Sequence, residues 1–307
     1  MKTKLSILGI LICSVCYGQH HEYVYRNSSD SSFNCYLKLF PKTDTIRGLI
    51  IRDYSKLFDA KEKSPYEFTE LALEAGMMIL ITNTSNQFPE LFISDSTIKL
   101  LDEMVQEVVS DHRIPEDNIF MGGISSSGTR ALRYAQYCAQ GKSKTKIRGV
   151  FVVDSPLDLE RLYNSALHHK KNFTDGMLWE ANLILPMFKS IYGGSPKEHY
   201  DAYRNSSVFS HTDSLGGNAV FLKNTEIIIF HEPDIDWWIK ERGCSYYDIN
   251  SYDLAAFTVF MKNLGNQTIE LITTSGMGFD REGKRKPHSW TIVDEHYLLD
   301  WILKRIR

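Results

Sequence analysis

Three stretches of the chain carry side chains that could do covalent chemistry. Residues 118–131 read NIFMGGISSSGTRA: an apolar run, two glycines, three serines and a third glycine before a helical pattern begins. Residues 231–238, HEPDIDWW, hold Asp234 and Asp236, and KPHSW at 286–290 holds His288. A further aspartate, Asp154, ends the apolar run IRGVFVVD. A hydroxyl, an imidazole and a carboxylate within reach of one another turn a serine into a nucleophile. The imidazole takes the hydroxyl proton, and the carboxylate holds the imidazole tautomer and stabilises its cation. The chemistry that follows is acyl transfer through a covalent intermediate. A serine triplet alone is an ordinary turn of small residues, so the surrounding elements must bring all three groups together.

Apolar runs of strand length alternate with helical periodicity along the chain. Residues 21–27 and 32–40 are aromatic and alternating, and predict an antiparallel pair. Six later runs, 46–53, 77–84, 118–125, 147–154, 225–232 and 267–274, are nearly continuous in Ile, Val, Leu and Met. Strands covered on both faces have that composition. Helical spacing predicts helices over 65–74, 97–110 (with Asp95 or Ser96 as N-cap), 127–140, 253–264 and 293–306. This order predicts an α/β fold: a mostly parallel sheet with antiparallel N-terminal strands and helices on both faces. Residues 157–224 carry amphipathic stretches but no strand pattern, and read as a helical cap insertion inside one domain spanning 19–307. In an open parallel sheet, function gathers at the carboxyl ends of the strands. The serine triplet, Asp154, HEPD and the loop holding His288 all fall there.

With these elements in order, the chain resembles the α/β-hydrolases over essentially the whole of 19–307. The residues that carry the resemblance are the serines at a strand-to-helix turn, acids at later strand ends, and PHSWTIVDEHYLLDWI before and through the last helix. The resemblance implies a serine hydrolase, with nucleophile, acid and base in that chain order. The family's turn is G-x-S-x-G, which no serine here satisfies fully. Ser125 has Gly123 two before it and Ser127 two after; Ser126 has the bulky Ile124 before it; Ser127 has Ser125 and Thr129. Ser125 is the expected nucleophile, with Ser127 standing in for a glycine. His288 is the expected base, since His296 falls inside the last helix. Asp234 is the expected acid, nearest the end of 225–232, with Asp236 as the alternative; Asp154 reads as part of a capped turn that opens a helix. The backbone N–H groups of Ser126 and Tyr54 are the expected oxyanion donors, although the glycine-rich H-G-G-G of lipases is absent at RDYSK.

The resemblance implies an esterase acting on a small-molecule or acyl-ester substrate, with no cofactor and no metal. Two further readings stand beside it: an exopeptidase or acyl-peptide hydrolase, and a non-catalytic hydrolase-like binding protein. Too few residues precede the third strand to hold the propeller domain of the large peptidases.

Composition limits the remaining classes. The 307 residues are 43% hydrophobic and 24% charged, with a formal charge of -3 and no long basic run, which argues against nucleic acid as a partner. MKTK followed by LSILGILICSV and CYG reads as a signal peptide over 1–18, cleaved after Gly18. It predicts a periplasmic or secreted protein with no stable membrane insertion once the signal is removed. Cys35, Cys138 and Cys244 remain, too few for a disulfide scaffold. The paired histidines at 20–21 and 168–169 lack metal-ligand spacing.

Overall fold

Each of the eight apolar runs forms a strand, because neighbouring side chains in the central runs are buried on opposite faces. The computed structural model describes residues 20–307 except 28, 55, 58, 60–65 and 86–93, so the signal segment expected at 1–18 lies outside the described residues. The strands are β1 (His21–Tyr25), β2 (Cys35–Leu39), β3 (Gly48–Tyr54), β4 (Met77–Asn83), β5 (Ile119–Ile124), β6 (Gly149–Val153), β7 (Glu226–His231) and β8 (Glu270–Thr273). They form one sheet in the order β1-β2-β4-β3-β5-β6-β7-β8. β1 and β2 are antiparallel to their neighbours and all other pairs are parallel.

The helices are α1 (Phe68–Glu74), α2 (Asp95–Asp111), α3 (Ser126–Ala139), α4 (Leu159–His169), α5 (Asp175–Tyr192), α6 (Tyr200–Ser206), α7 (Ile235–Arg242), α8 (Ser251–Leu264) and α9 (Glu295–Leu303). The pleat sorts the core. Leu49, Ile51, Val150 and Val152 pack with Leu101 of α2, Leu132 of α3 and Phe257 of α8. Their alternates Ile50, Phe151 and Val153 pack with Phe68 of α1 and Trp301 of α9. Both faces are therefore covered, which accounts for the continuous apolar composition of the central runs. Cys35, Cys138 and Cys244 are buried free thiols. No helix among the described residues is long and apolar enough to cross a membrane.

One local expectation changes. Ser94, not Asp95 or Ser96, caps α2, its hydroxyl accepting the Thr97 N–H. HEPDIDWW leaves β7 and turns directly into α7, which Gly243 ends with φ at 66°. Residues 157–224 hold α4, α5 and α6 with two short 3-10 turns and no strand.

A buried ion pair fixes the start of α3 against β3. Asp53 is fully buried and pairs with Arg130 of α3, while Thr82 donates to it at 2.7 Å. One residue along the same junction, the Ser127 hydroxyl donates to the Asp53 carbonyl at 2.7 Å. Removing one partner leaves the other charge buried and uncompensated. Asp53→Ala is expected to lower stability by about 3–5 kcal/mol, measured by urea unfolding. A loss no larger than that of an exposed aspartate substitution would show that the pair does not hold this junction.

Candidate active site

Ser125 sits at a strained backbone turn between strand and helix. It follows β5 and precedes α3 with φ 57° and ψ −131°, a region that side chains other than glycine's scarcely enter. The surrounding small residues make the turn possible. A Cβ on Gly123 would lie 2.6 Å from the Ser127 Cβ, and one on Gly128 would overlap the Ser155 hydroxyl. The three serines differ in what they are free to do. Ser127 is buried with its hydroxyl bonded to Asp53, whereas Ser125 and Ser126 are half-buried. The Ser126 N–H opens α3 and has no intrahelical acceptor.

The register of the sheet places the second group. Ile124 pairs with Val153, and Val153 pairs with Phe230. The row beyond them, along the carboxyl edge, is Ser125, Asp154 and His231. Backbone bonds continue the row: Ser125 N–H donates to the Val153 carbonyl at 2.8 Å and Asp154 N–H to Phe230 at 3.0 Å. Asp154 is 1% exposed and has φ at 42°, and Asn250 donates to its carbonyl at 3.0 Å. Its two carboxylate oxygens each meet an imidazole. Oδ2 lies 2.6 Å from His288 Nδ1, and Oδ1 lies 3.0 Å from His231 Nδ1. The far side of the His231 ring, Nε2, is 2.6 Å from the Ser251 hydroxyl at the start of α8.

The acid expected from the sequence is therefore corrected. Asp234 does not meet His288; it caps α7 by accepting the Trp237 N–H at 3.2 Å and pairs with Arg285 at 2.5 Å. Asp236 is exposed in the first turn of α7. The carboxylate that holds His288 is Asp154, and the cap of the next helix is Asp158, whose side chain accepts the Arg161 N–H. His231, which follows the same edge, carries no signal beyond its place at the end of a strand. His296 is exposed, 3.8 Å from Glu67.

Tyr54 is also corrected as an oxyanion donor. Along a strand, backbone N–H and C=O groups point alternately to the two neighbours. Leu49 donates to Asn118 and the Asp53 carbonyl faces Ser127, so the odd residues of β3 face β5 and α3. The Tyr54 N–H then faces β4, away from Ser125. The next residue, Ser55, lies outside the described residues.

His288 stands on a loop that the HEPD segment holds. Glu232, fully buried, accepts the N–H groups of Gly276, Met277 and Gly278 at 2.8–3.0 Å and the Thr274 hydroxyl at 3.0 Å. Arg285, two residues before Pro287, pairs with the same carboxylate. The three tryptophans near these segments serve packing. Trp290 is buried against Phe68 and Phe151, and Trp238 is buried under α5. Trp237 packs in that same cluster with Arg242 4.7 Å from its ring.

The electrostatics follow from this geometry. Burial alone would raise the Asp154 carboxyl, but His288 and His231 hold it far below the usual carboxylate range. Burial alone would lower His288; the charge of Asp154, its hydrogen bond and the charge of Glu180 raise it above the ordinary imidazole value. Among the described residues no hydrogen bond joins the Ser125 hydroxyl to His288, and no group of three or more metal-ligating side chains occurs. Catalytic hydrogen bonds are often loose before substrate binds.

No family model and no curated protein sequence matches the chain. Solved structures do. The acylaminoacyl peptidase of Pyrococcus horikoshii matches over 99% of this chain and 44% of its own, with TM-score 0.58 and 13% identity. The chain thus spans less than half the length of that protein. A fungal esterase from Rhizomucor miehei matches over 94% of this chain and 84% of its own, with TM-score 0.58 and 12% identity. Carboxyl esterase 2 from the mycorrhizal fungus Tuber melanosporum matches over 89% and 81%, with TM-score 0.55 and 11% identity. At such identities the likeness carries the architecture alone, and with the antiparallel start, the parallel sheet and the helices on both faces it leads to one conclusion: the chain has the α/β-hydrolase fold.

Proposed function

We propose that the protein is a serine hydrolase that cleaves carboxylic esters of small molecules, with Ser125, His288 and Asp154 as its triad. One observation carries the reading. The strained serine lies in the same sheet row as the buried carboxylate that holds His288. Structural serines have no need of a turn at φ 57°, whereas a nucleophile lifted above the edge of the sheet does.

In the proposed cycle His288 Nε2 takes the Ser125 proton as Oγ attacks the ester carbonyl carbon. The tetrahedral oxyanion faces the Ser126 N–H, with the start of α3 adding its partial positive charge. Collapse breaks the bond to the leaving alkoxide, which takes the proton from His288 and departs as the alcohol. Water then repeats the sequence on the acyl-enzyme, releasing the acid and restoring Ser125. Asp154 keeps the Nδ1 proton on His288, leaving Nε2 to act as the base. The polar-apolar order of residues 1–18 supports action in the periplasm or outside the cell.

Ser125→Ala should abolish hydrolysis of short p-nitrophenyl esters, and a fluorophosphonate probe should label the unmodified protein at Ser125 on peptide mapping. Label at Ser126, or undiminished turnover in the alanine variant, would refute the assignment.

The choice of acid gives a second test. Asp154→Asn should lower kcat by roughly ten-thousandfold, while Asp234→Asn should leave kcat near its original value and keep the α7 cap, since an asparagine oxygen accepts the Trp237 N–H as an aspartate does. The reverse ranking would restore Asp234.

The pH profile gives a third. A base must be neutral, and His288 is held above the ordinary imidazole value. Activity should therefore fall as pH drops through a value higher than about 6.5. Asp154→Asn, by removing the neighbouring charge, should move that limb to lower pH in its residual activity.

A further inference from the structure

Asp154 meets two imidazoles, and the proposed cycle uses only one of them. His231 ends β7, one row beyond the Val153–Phe230 pair, so its ring falls beside the carboxylate that follows β6. Its Nδ1 lies 3.0 Å from Asp154 Oδ1, while His288 Nδ1 lies 2.6 Å from Oδ2. On the far side of the ring, Nε2 lies 2.6 Å from the Ser251 hydroxyl. His231, Ser251 and Asp154 are all buried.

Serine, imidazole and carboxylate in that order have the connectivity of a second triad, sharing its acid with the first. Ser251 does not suit a nucleophile: it is buried in the first turn of α8, whereas Ser125 is half-buried. Nor is His231 placed to relay a proton. A carboxylate only accepts, so Nδ1 carries the ring proton and Nε2 accepts from the Ser251 hydroxyl. In this tautomer each of the three groups has a partner of the opposite kind.

What this chain of bonds changes is Asp154. Each hydrogen bond that a carboxylate accepts stabilises its anion and weakens its pull on other donors. We propose that His231, polarised by Ser251, is a positioning residue that takes a share of the Asp154 carboxylate and so limits how strongly the acid acts on His288. The inference rests on the serine-hydrolase reading and adds to it a residue that sets the strength of the base. Two demands on His288 make such a limit useful. It must accept the Ser125 proton, which favours a basic ring, and then give it to the leaving alkoxide, which favours a less basic one. Burial lowers the proton affinity of this ring, and the charges that act on it come from Asp154, from Glu180 of α5 and from Lys286 of its own loop. Asp154 is the strongest of the three, and its pull is the one that a second donor divides.

The test follows the His288 Cε1–H signal by NMR as pH is varied, assigned by its loss in His288→Gln, beside the pH profile of p-nitrophenyl ester hydrolysis in the full chain. His231→Phe keeps a ring and removes both nitrogens. Its His288 titration and the acid limb of kcat/KM should both move up by roughly half to one pH unit, opposite to the shift expected in Asp154→Asn. Its kcat should fall severalfold, because a more basic ring returns its proton less readily. His231→Asn places an amide N–H where Nδ1 stood and should bring the titration back toward its original position. Ser251→Ala, which removes a hydroxyl and leaves the imidazole, should move the titration up by less, and it decides the matter if His231→Phe does not fold.

A His288 titration that stays in place or moves down in His231→Phe would show that His231 only packs beneath the acid, and would overturn the proposal. So would an equal upward shift in His231→Asn, since the effect would then follow the bulk of the ring and not its N–H. Absence of ester hydrolysis and of fluorophosphonate label at Ser125 in the unmodified protein would instead sink the hydrolase reading, and the catalytic role of His231 with it. The titration needs no turnover, so it tells the two failures apart.

Discussion

A carboxylate at 1% exposure between two imidazoles is the interaction around which the carboxyl edge of the sheet is arranged. Asp154 could not remain charged there without partners, since burial by itself favours the protonated acid. Each partner comes from a different element. β7 supplies His231, the loop before α9 supplies His288, and Asn250, just before α8, secures the backbone carbonyl. Ser251 in turn accounts for the far nitrogen of His231. The positive φ of Asp154 is tolerable for an aspartate and turns the side chain toward both rings. A carboxylate with both oxygens engaged has little freedom to rotate, so the His288 ring that it holds is oriented before any ligand arrives.

Orientation of the ring would mean little if its loop were loose. The loop from Thr274 to Pro287 has little regular structure, so its amides need acceptors from elsewhere. Glu232 provides one set: three successive N–H groups converge on its buried carboxylate, and Arg285 closes the loop on the same group. Charge-assisted bonds of this kind are about twice as strong as neutral ones. Asp234 extends the cluster through Arg285 while capping α7. The acids of HEPD thus do serve the histidine, through the loop that carries it rather than through the ring.

The sheet was legible because central strands covered on both faces leave a compositional trace that needs no partner to be seen. The turn at Ser125 was legible because Gly123 and the small residues beyond it are demanded by close backbone approach. The acid was not. Asp154 and Asp234 each follow a strand and precede a helix, and the two differ in register and in capping. The pattern Asp234-Ile235-Asp236-Trp237-Trp238, ended by Gly243, is that of a short capped helix, and reading it so would have assigned Asp234 a local role. Tyr54 failed for a related reason: which edge of β3 an N–H faces is set by parity, and parity is anchored by contacts such as Ser127 to Asp53 that only the folded chain displays.

The serine triplet departs from the family pattern at its third position, and the packing explains how the departure is absorbed. A glycine at 127 would give the helix and strand the same clearance but would leave the Asp53 carbonyl without the Ser127 hydroxyl, at a level of β3 beyond its last pairing with β5 at Ile51. A buried carbonyl left unpaired costs about 1–3 kcal/mol, so the serine is the better residue at this junction. The close approach that the family meets with its second glycine falls one place later, where Gly128 lies against Ser155. The three serines therefore divide three tasks: Ser125 bears the strained turn, Ser126 presents the first free amide of α3, and Ser127 ties the helix to the strand beneath it. Losing the glycine at 127 does not disable the turn; it exchanges a small residue for a hydrogen bond at the point where α3 leaves the sheet.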